Sequence, residues 1–342
     1  MPSHGKEIKL ANPRGFCAGV DRAIDIVNKA LEIYGSPVYV KHEVVHNKHV
    51  VEDLKNRGAV FVEQIDEIPD NSLVIFSAHG VSDQVEETTK SRNLQYFDAT
   101  CPLVTKVHME VVRHARSKKD IILIGHEGHP EVEGTMGRHI NKELSNIYLV
   151  QDESEALKID VSQPDNLALV TQTTLSVDDT KSIIGILKER FPNIKVPKKD
   201  DICYATQNRQ DAVKQLALES DYMIVVGSKN SSNSNRLKEL AEKCGCKSVL
   251  IDGFEDLNLS ELDGCNRISI TAGASAPEER VQEIANELQK YTGAQISESG
   301  EDQENIFFKL PRQSAAGRGT RSMPARRARR THLGGRRPRT RC

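Results

Sequence analysis

Asn12-Pro-Arg-Gly-Phe-Cys-Ala-Gly-Val20 sets one cysteine between two glycines at the junction of a strand and a helix. Residues 7–10 read as a short strand, and from Val20 the apolar residues Ala23, Ile24, Val27, Ala30 and Leu31 recur at helical spacing. Cys17 therefore precedes a helix N-terminus, where the helix dipole and unpaired backbone N–H groups favour a thiolate that can serve as ligand or nucleophile. Alone, such a cysteine reads more simply as a small buried apolar side chain. The arrangement, however, recurs twice. Asp98-Ala-Thr-Cys-Pro102 ends the strand-like residues 94–97 and opens a helix with Leu103, Val104, Val107, Val111 and Val112 on one stripe, Pro102 suiting a first helical position. Asp201-Ile-Cys-Tyr-Ala-Thr206 precedes a third such segment, in which Ala212, Val213, Leu216 and Ala217 recur. Cys17, Cys101 and Cys203, at three strand-to-helix junctions, would meet at one centre if three similar modules packed around an axis.

The chain of 342 residues is 37% hydrophobic and 28% charged, enough for a sizeable core in two or three domains. It has no apolar run near the roughly 18 residues of a membrane span, and residues 1–10 lack the apolar stretch of a secretory signal, so a cytoplasmic location without membrane contact is expected. Seven irregularly spaced cysteines suit a reducing compartment better than a disulfide framework. The net charge of −2 divides unevenly: residues 305–342 carry Lys309 and eleven arginines without an acid, +12, leaving −14 on the body. An acidic body with 4% aromatic residues and no Trp argues against a nucleic-acid partner.

Short apolar runs alternate with amphipathic segments, the pattern of α/β units with parallel strands. Strands are expected at residues 37–41, 59–63, 73–76, 121–124, 147–150, 167–170, 223–226, 249–251 and 268–270. Helices are expected at 48–57, 82–92, 178–190, 233–244 and 277–291. The cysteines divide this pattern into residues 1–17, an N-terminal strand and cysteine loop packing with the third module, and modules at 18–101, 102–200 and 201–291. A C-terminal extension at 292–311 follows, in which 306–310 reads as a last ordered stretch, and then an Arg-rich tail at 312–342 whose composition predicts disorder.

Ligands of open parallel sheets bind beyond the carboxyl ends of the strands, and there the residues are polar and small. They include His42-Glu-Val-Val-His-Asn47, Ser77-Ala-His-Gly80, the Gly-rich loop Gly125-His-Glu-Gly-His-Pro-Glu-Val-Glu-Gly134 and Thr171-Gln-Thr-Thr174. Gly227-Ser-Lys-Asn-Ser-Ser-Asn-Ser-Asn235 and Thr271-Ala-Gly-Ala-Ser-Ala-Pro277 complete the set. Converging hydroxyls, amides, imidazoles and helix N-termini suit a phosphorylated or diphosphorylated small molecule, although any one loop, such as 231–235, equally reads as helix capping. With neither a dinucleotide fingerprint nor a P-loop, nicotinamide dinucleotides and ATP are disfavoured. Two other readings stay open: a zinc-dependent hydrolase built on His126, His129, Glu127 and Glu131, and an iron–sulfur redox sensor whose basic tail touches nucleic acid. Cys244-Gly-Cys246 lacks a companion pair and reads as structural.

Taken together, these loops closely resemble the 4-hydroxy-3-methylbut-2-enyl diphosphate reductases of the methylerythritol phosphate route to isoprenoids. The resemblance is carried by the three cysteine motifs, His42-Glu-Val-Val-His-Asn47, Phe76-Ser-Ala-His-Gly80, Gly128-His-Pro-Glu-Val-Glu-Gly134, Thr171-Gln-Thr-Thr174, Ser231-Ser-Asn233 and Thr271-Ala-Gly-Ala-Ser-Ala-Pro277, and spans residues 8–310. It implies three α/β modules in a trefoil around one 4Fe-4S cluster per chain, with Cys17, Cys101 and Cys203 as ligands and one open iron. It further implies diphosphate binding by His46, His79, His129, Ser231, Ser232, Asn233 and Ser275, the imidazoles protonated, with Glu131 delivering protons and Thr173 positioning the allylic hydroxyl. Reductive dehydroxylation by a reduced ferredoxin or flavodoxin type donor would give isopentenyl and dimethylallyl diphosphate. The Arg-rich tail matches nothing in this pattern.

Overall fold

The computed structural model of the chain describes residues 6–140, 142–300 and 304–311. In chain order its elements are β1 (Glu7–Ala11), α1 (Ala18–Tyr34), β2 (Val38–Lys41), α2 (Lys48–Asn56), β3 (Ala59–Val62), β4 (Leu73–Phe76), α3 (Asp83–Ser91) and β5 (Gln95–Asp98). Then come α4 (Pro102–Arg116), β6 (Asp120–Ile124), α5 (Pro130–Met136), β7 (Ile147–Val150), α6 (Glu153–Lys158), β8 (Leu167–Thr171) and α7 (Val177–Arg190). The last third holds α8 (Tyr204–Ala217), β9 (Tyr222–Val226), α9 (Ser232–Lys243), β10 (Lys247–Ile251), β11 (Arg267–Ala272), α10 (Glu278–Thr292) and β12 (Gln295–Ser299).

These form three sheets with strand orders β3-β2-β4-β5, β7-β6-β8 and β10-β9-β11-β1-β12. Among the described residues every strand pairing is parallel. The inner strands β4, β6 and β9, and β8 at the edge of its sheet, are buried at every position, as strands covered by helices on both faces must be. Separate apolar clusters fill the space between each sheet and its helices; in the third, Ile8, Leu10, Ile224, Ile270 and Ile284 meet. The α/β class and its parallel sheets agree with the sequence reading.

Three local differences matter for the site. The fading pattern after Tyr291 hides an edge strand: β12 pairs along β1, placing the N-terminal strand between β11 and β12. β12 is half exposed and rich in polar residues, so it shows no apolar run. The loop read at 125–134 becomes helical at Pro130, with His129 as the N-cap, because Pro at a first helical position needs no N–H partner. Cys203 does not follow a strand. Residues 192–203 contribute one isolated bridge, Lys195 to Ala168, since Pro192 and Pro197 bracket a stretch too short to pair further.

Residues 306–310 form no strand, yet Leu310 packs against the cluster around α1 and the Lys309 carbonyl accepts from Arg22. Glu304 pairs with the guanidinium of Arg209 at 2.8 and 3.1 Å, and Arg209, fully buried, also donates to the Gly15 carbonyl at 2.7 Å. The C-terminal segment is thereby tied to the loop that carries Cys17. The Arg-rich tail 312–342 and its Cys342 lie outside the described residues.

Glu304→Ala strands a buried guanidinium with only carbonyl partners, and should destabilise the protein by about 3 kcal/mol, the lower end for breaking a buried ion pair. A urea-unfolding midpoint unchanged from the parent would show that the latch contributes nothing.

Candidate active site

Each of the three cysteines is the N-cap of a helix: Cys17 of α1, Cys101 of α4 and Cys203 of α8, whose sulfur accepts from the Thr206 N–H at 3.4 Å. All three line one cavity, together with His46, His79, His129, Glu131, Thr173, Ser231, Ser232, Asn233 and Ser275. Every site residue expected from the sequence lies on this lining. The backbone N–H of each cysteine is held by a carbonyl next to or within a polar loop of the same cavity. Cys17 donates to Ala274 at 3.2 Å, Cys101 to Ala78 at 3.0 Å and Cys203 to Thr173 at 3.0 Å. Gly19 shows how closely two thiols approach: a Cβ there would lie 2.7 Å from the Cys101 sulfur and 3.8 Å from that of Cys17.

Burial overrides the helix dipoles expected to favour thiolates. It pushes the Cys17 thiol up, Cys101 up to about 12 and Cys203 up to about 11, and mutual repulsion adds to this for the last two. Three free thiols held neutral in one cavity are a donor set that becomes anionic when a cation arrives to compensate the charge. Among the described residues the donors gathered within 4.8 Å of one another, as one ion requires, belong to His42, His46 and His79 rather than to the sulfurs. Thiols set more widely than the ligands of one ion suit a polynuclear cluster.

Opposite the thiols, Glu131 is 2% exposed, and Thr173 satisfies both its oxygens: the N–H at 2.7 Å and the hydroxyl at 2.9 Å. Burial nevertheless pushes its carboxyl up to about 7, with the Asp201 carboxylate adding a smaller push. A carboxyl poised there can hold or release a proton at neutral pH, and Thr173 can reverse its hydroxyl to suit either state.

The imidazoles form a second group. The rings of His46 and His79 stack with centroids 4.1 Å apart, and His129 approaches them edge-on at 5.2 and 5.8 Å. His129 Nδ1 accepts from the Glu131 N–H at 3.1 Å, which leaves the proton of the neutral ring on Nε2 as a donor. Burial and neighbouring histidines hold His79 well below the usual range and His129 down to about 3, so the protonated imidazoles expected with a diphosphate require the bound anion. An incoming anion reverses that balance.

Further along the wall, both side-chain polar atoms of Asn233 and Nε2 of His46 are buried with no hydrogen-bond partner, an arrangement that a polar ligand resolves. Ser231 caps α9 and accepts from the N–H and hydroxyl of Ser234, leaving its own hydroxyl hydrogen to donate. Ser232 and Ser275 donate to the Thr174 and His46 carbonyls, at 3.3 and 2.9 Å, and so bind the loops to one another.

His126 and His129 are separated. His126 opens on another pocket, with Gln151, Ser176 and Arg236, and among the described residues the pair belongs to no group of three donors close enough for one ion. Cys246 is buried in the apolar cluster beneath α9, as the structural reading of Cys244-Gly-Cys246 expects. Sequence reasoning passed over Thr174 and the apolar lining of Val20, Val45, Leu103 and Val104. Thr174 and Val45 stood in quoted motifs without an assigned role; Val20, Leu103 and Val104 carried only the helix-stripe signal.

The neutral histidines set the sign of the pH dependence. Burial holds His108, His114 and His129 at about 3, 4 and 3, whereas in the unfolded chain each protonates near about 6.5. The unfolded state binds more protons in that window, so stability from these groups is lost as pH falls below about 6.5; Glu131 acts oppositely, its contribution declining as pH rises from about 4.5 to about 7. His129→Asn should lower the proton slope of urea unfolding between pH 5 and 6 by up to about one proton, and an unchanged slope would show that the ring is protonated when folded.

A family model described as LytB protein matches residues 8–289. The 4-hydroxy-3-methylbut-2-enyl diphosphate reductase of Pseudomonas entomophila is 61% identical over 307 residues, 90% of this chain and 98% of that protein. The enzyme of that name from Ectopseudomonas mendocina is likewise 61% identical, over 306 residues, 90% of this chain and 98% of that protein. Among solved structures, the E-1-hydroxy-2-methyl-but-2-enyl-4-diphosphate reductase of Plasmodium falciparum superposes with a TM-score of 0.84 at 39% identity, over 90% of this chain and 96% of that one. With a family model spanning most of the chain and relatives this similar over nearly their whole length, the chain belongs to the LytB family, that of the 4-hydroxy-3-methylbut-2-enyl diphosphate reductases.

Proposed function

We propose that this chain reduces 4-hydroxy-3-methylbut-2-enyl diphosphate to isopentenyl and dimethylallyl diphosphate, releasing water. The observation that carries the reading is the meeting in one cavity of three uncompensated thiols, the buried Glu131–Thr173 pair and the unpartnered polar atoms of Asn233 and His46. A further solved relative is described as the terminal enzyme of the non-mevalonate pathway; at 31% identity and a TM-score of 0.59 it covers 83% of this chain and 99% of its own.

Cys17, Cys101 and Cys203 would hold one 4Fe-4S cluster and leave one iron open; when bound, the cluster supplies single electrons and a Lewis-acidic iron. Thiols that burial keeps neutral suit this role, because they ionise only against the positive charge they ligate. The diphosphate lies against Asn233, Ser231, Ser232, Ser275 and the three imidazoles, with the α9 N-terminus adding its dipole. Ser231 and His129 donate to phosphate oxygens without further rearrangement, and Asn233 gains the partners it lacks. The anion stabilises protonated His79, so binding takes up a proton.

Thr173 orients the allylic hydroxyl and Glu131 passes it a proton. The C–O bond breaks, two electrons enter from an external donor of the reduced ferredoxin or flavodoxin class, and the hydroxyl leaves as water. A second proton adds to either end of the allyl fragment, which accounts for two products. Val20, Val45, Leu103 and Val104 limit water around that fragment. A zinc-dependent hydrolase is set aside because His126 and His129 face different pockets. Among the described residues no helix is long and apolar enough to cross a membrane.

Anaerobically purified protein should contain about four irons and four sulfides per chain; one zinc and no sulfide would overturn the reading. Cys17→Ser should lose iron and turnover together. Glu131→Gln should keep its iron and its substrate affinity but lose about 10²–10⁴-fold in kcat. Because the Glu131 carboxyl is pushed up to about 7, parent kcat should fall as pH rises through 7 and the acid is lost. Substantial turnover by Glu131→Gln would assign the proton to another group.

A further inference from the structure

His42 is absent from the groups assigned to the diphosphate, yet its ring lies 5.9 Å from the rings of both His46 and His79. One ring nitrogen from each of the three lies within 4.8 Å of the others. Two of the rings have an outer partner, Nδ1 of His42 lying 2.8 Å from a Glu63 oxygen and Nδ1 of His79 3.3 Å from the Ser77 hydroxyl, while Nδ1 of His46 has the Glu43 carboxylate 3.5 Å away without a hydrogen bond. Metal-binding histidines are held in this way, their second nitrogen donating to a carboxylate or hydroxyl so that the ligating nitrogen keeps its lone pair and its aim. Nε2 of His46, on a residue only 9% exposed, is without any partner. A tetrahedral zinc ion would hold three such nitrogens about 3.4 Å apart, nearer than the 4.8 Å within which they lie. The His42 side chain, a quarter exposed, leaves a way in from solvent.

We propose that His42, His46 and His79 form a binding site for one divalent ion of the zinc class, and that this ion excludes the diphosphate by occupying His46 and His79. The exclusion rests on the functional reading above; the ion site does not. Three imidazoles select zinc, cobalt or nickel over magnesium, which prefers oxygen ligands and keeps its water. Excess zinc would then act as a competitive inhibitor, relieved when a chelator removes it.

The test uses the cluster-loaded full chain with one equivalent of zinc, by X-ray absorption at the zinc edge, and turnover before and after chelation. Shells of nitrogen near about 2.0 Å are expected, whereas sulfur near about 2.3 Å would mean that zinc sits on the cysteines and would overturn the site. His42 has a φ of +62°, which asparagine tolerates better than most residues, so His42→Asn removes the ligand with little backbone cost. It should keep the turnover measured without zinc and weaken zinc binding by at least the 10- to 100-fold expected of Glu63→Gln, roughly the loss caused by removing an outer partner. Zinc affinity unchanged in both variants would overturn the proposal. Zinc bound through nitrogen and lost in His42→Asn, but without effect on parent turnover, would leave the ion site standing and displace the diphosphate from His46 and His79.

Discussion

Three backbone hydrogen bonds, from the N–H groups of Cys17, Cys101 and Cys203 to the carbonyls of Ala274, Ala78 and Thr173, fix the geometry on which the rest of the structure depends. Each joins a helix N-terminus to a loop of the same cavity: Ala274 precedes Ser275, Ala78 precedes His79, and Thr173 is itself the partner of Glu131. Sulfur positions and polar-group positions are therefore not independent. A shift of one helix that moved a thiol would drag a substrate-facing side chain with it, which is how a site assembled from distant loops keeps sub-ångström register. The sheets act as the rigid support behind these loops, with β4, β6, β8 and β9 buried throughout.

The cavity pays for its function in unsatisfied charge. Thiols that would be thiolates beside a metal are held neutral, imidazoles that would be cations beside a diphosphate are held neutral, and one carboxyl sits near the middle of its titration at pH 7. Each of these states is imposed chiefly by burial, with neighbouring groups of like charge adding to it. The site is thus complete only in the electrostatic sense when a cationic group and an anionic ligand are both present, and the two stabilise each other across the same small volume.

The backbone around Cys17 needs a further support, because its loop must turn sharply and leave room for another sulfur at Gly19. Arg209 provides it by donating to the Gly15 carbonyl from a fully buried position, and Glu304 balances that charge from the C-terminal segment. A buried ion pair of this kind is a costly way to gain stability and a good way to fix one arrangement. The first strand and the C-terminal segment that carries Glu304 are brought to the same place by β12 beside β1.

Much of this was legible in the order of the residues. Parallel α/β units follow from apolar runs alternating with amphipathic ones, and the cysteines announce themselves because a helical stripe follows each, with glycine or proline beside the first two. The polar residues of the cavity were legible because parallel sheets place their ligands beyond the strand ends. What the chain order could not carry were features that depend on neighbours distant in sequence. β12 has no apolar pattern, since only one side of it meets a partner; the Arg209–Glu304 pair is 95 residues apart; and His42 was one histidine among several until His46 and His79 folded beside it. Protonation states were misjudged for the same reason: the helix dipole is a local property read from sequence, while desolvation by the assembled walls is not, and in this cavity desolvation is the larger effect. Sequence by itself determined which groups could do the chemistry; tertiary structure decided which of them share a cavity and what charge each carries there, because burial and mutual distance exist only once the three sheets have packed.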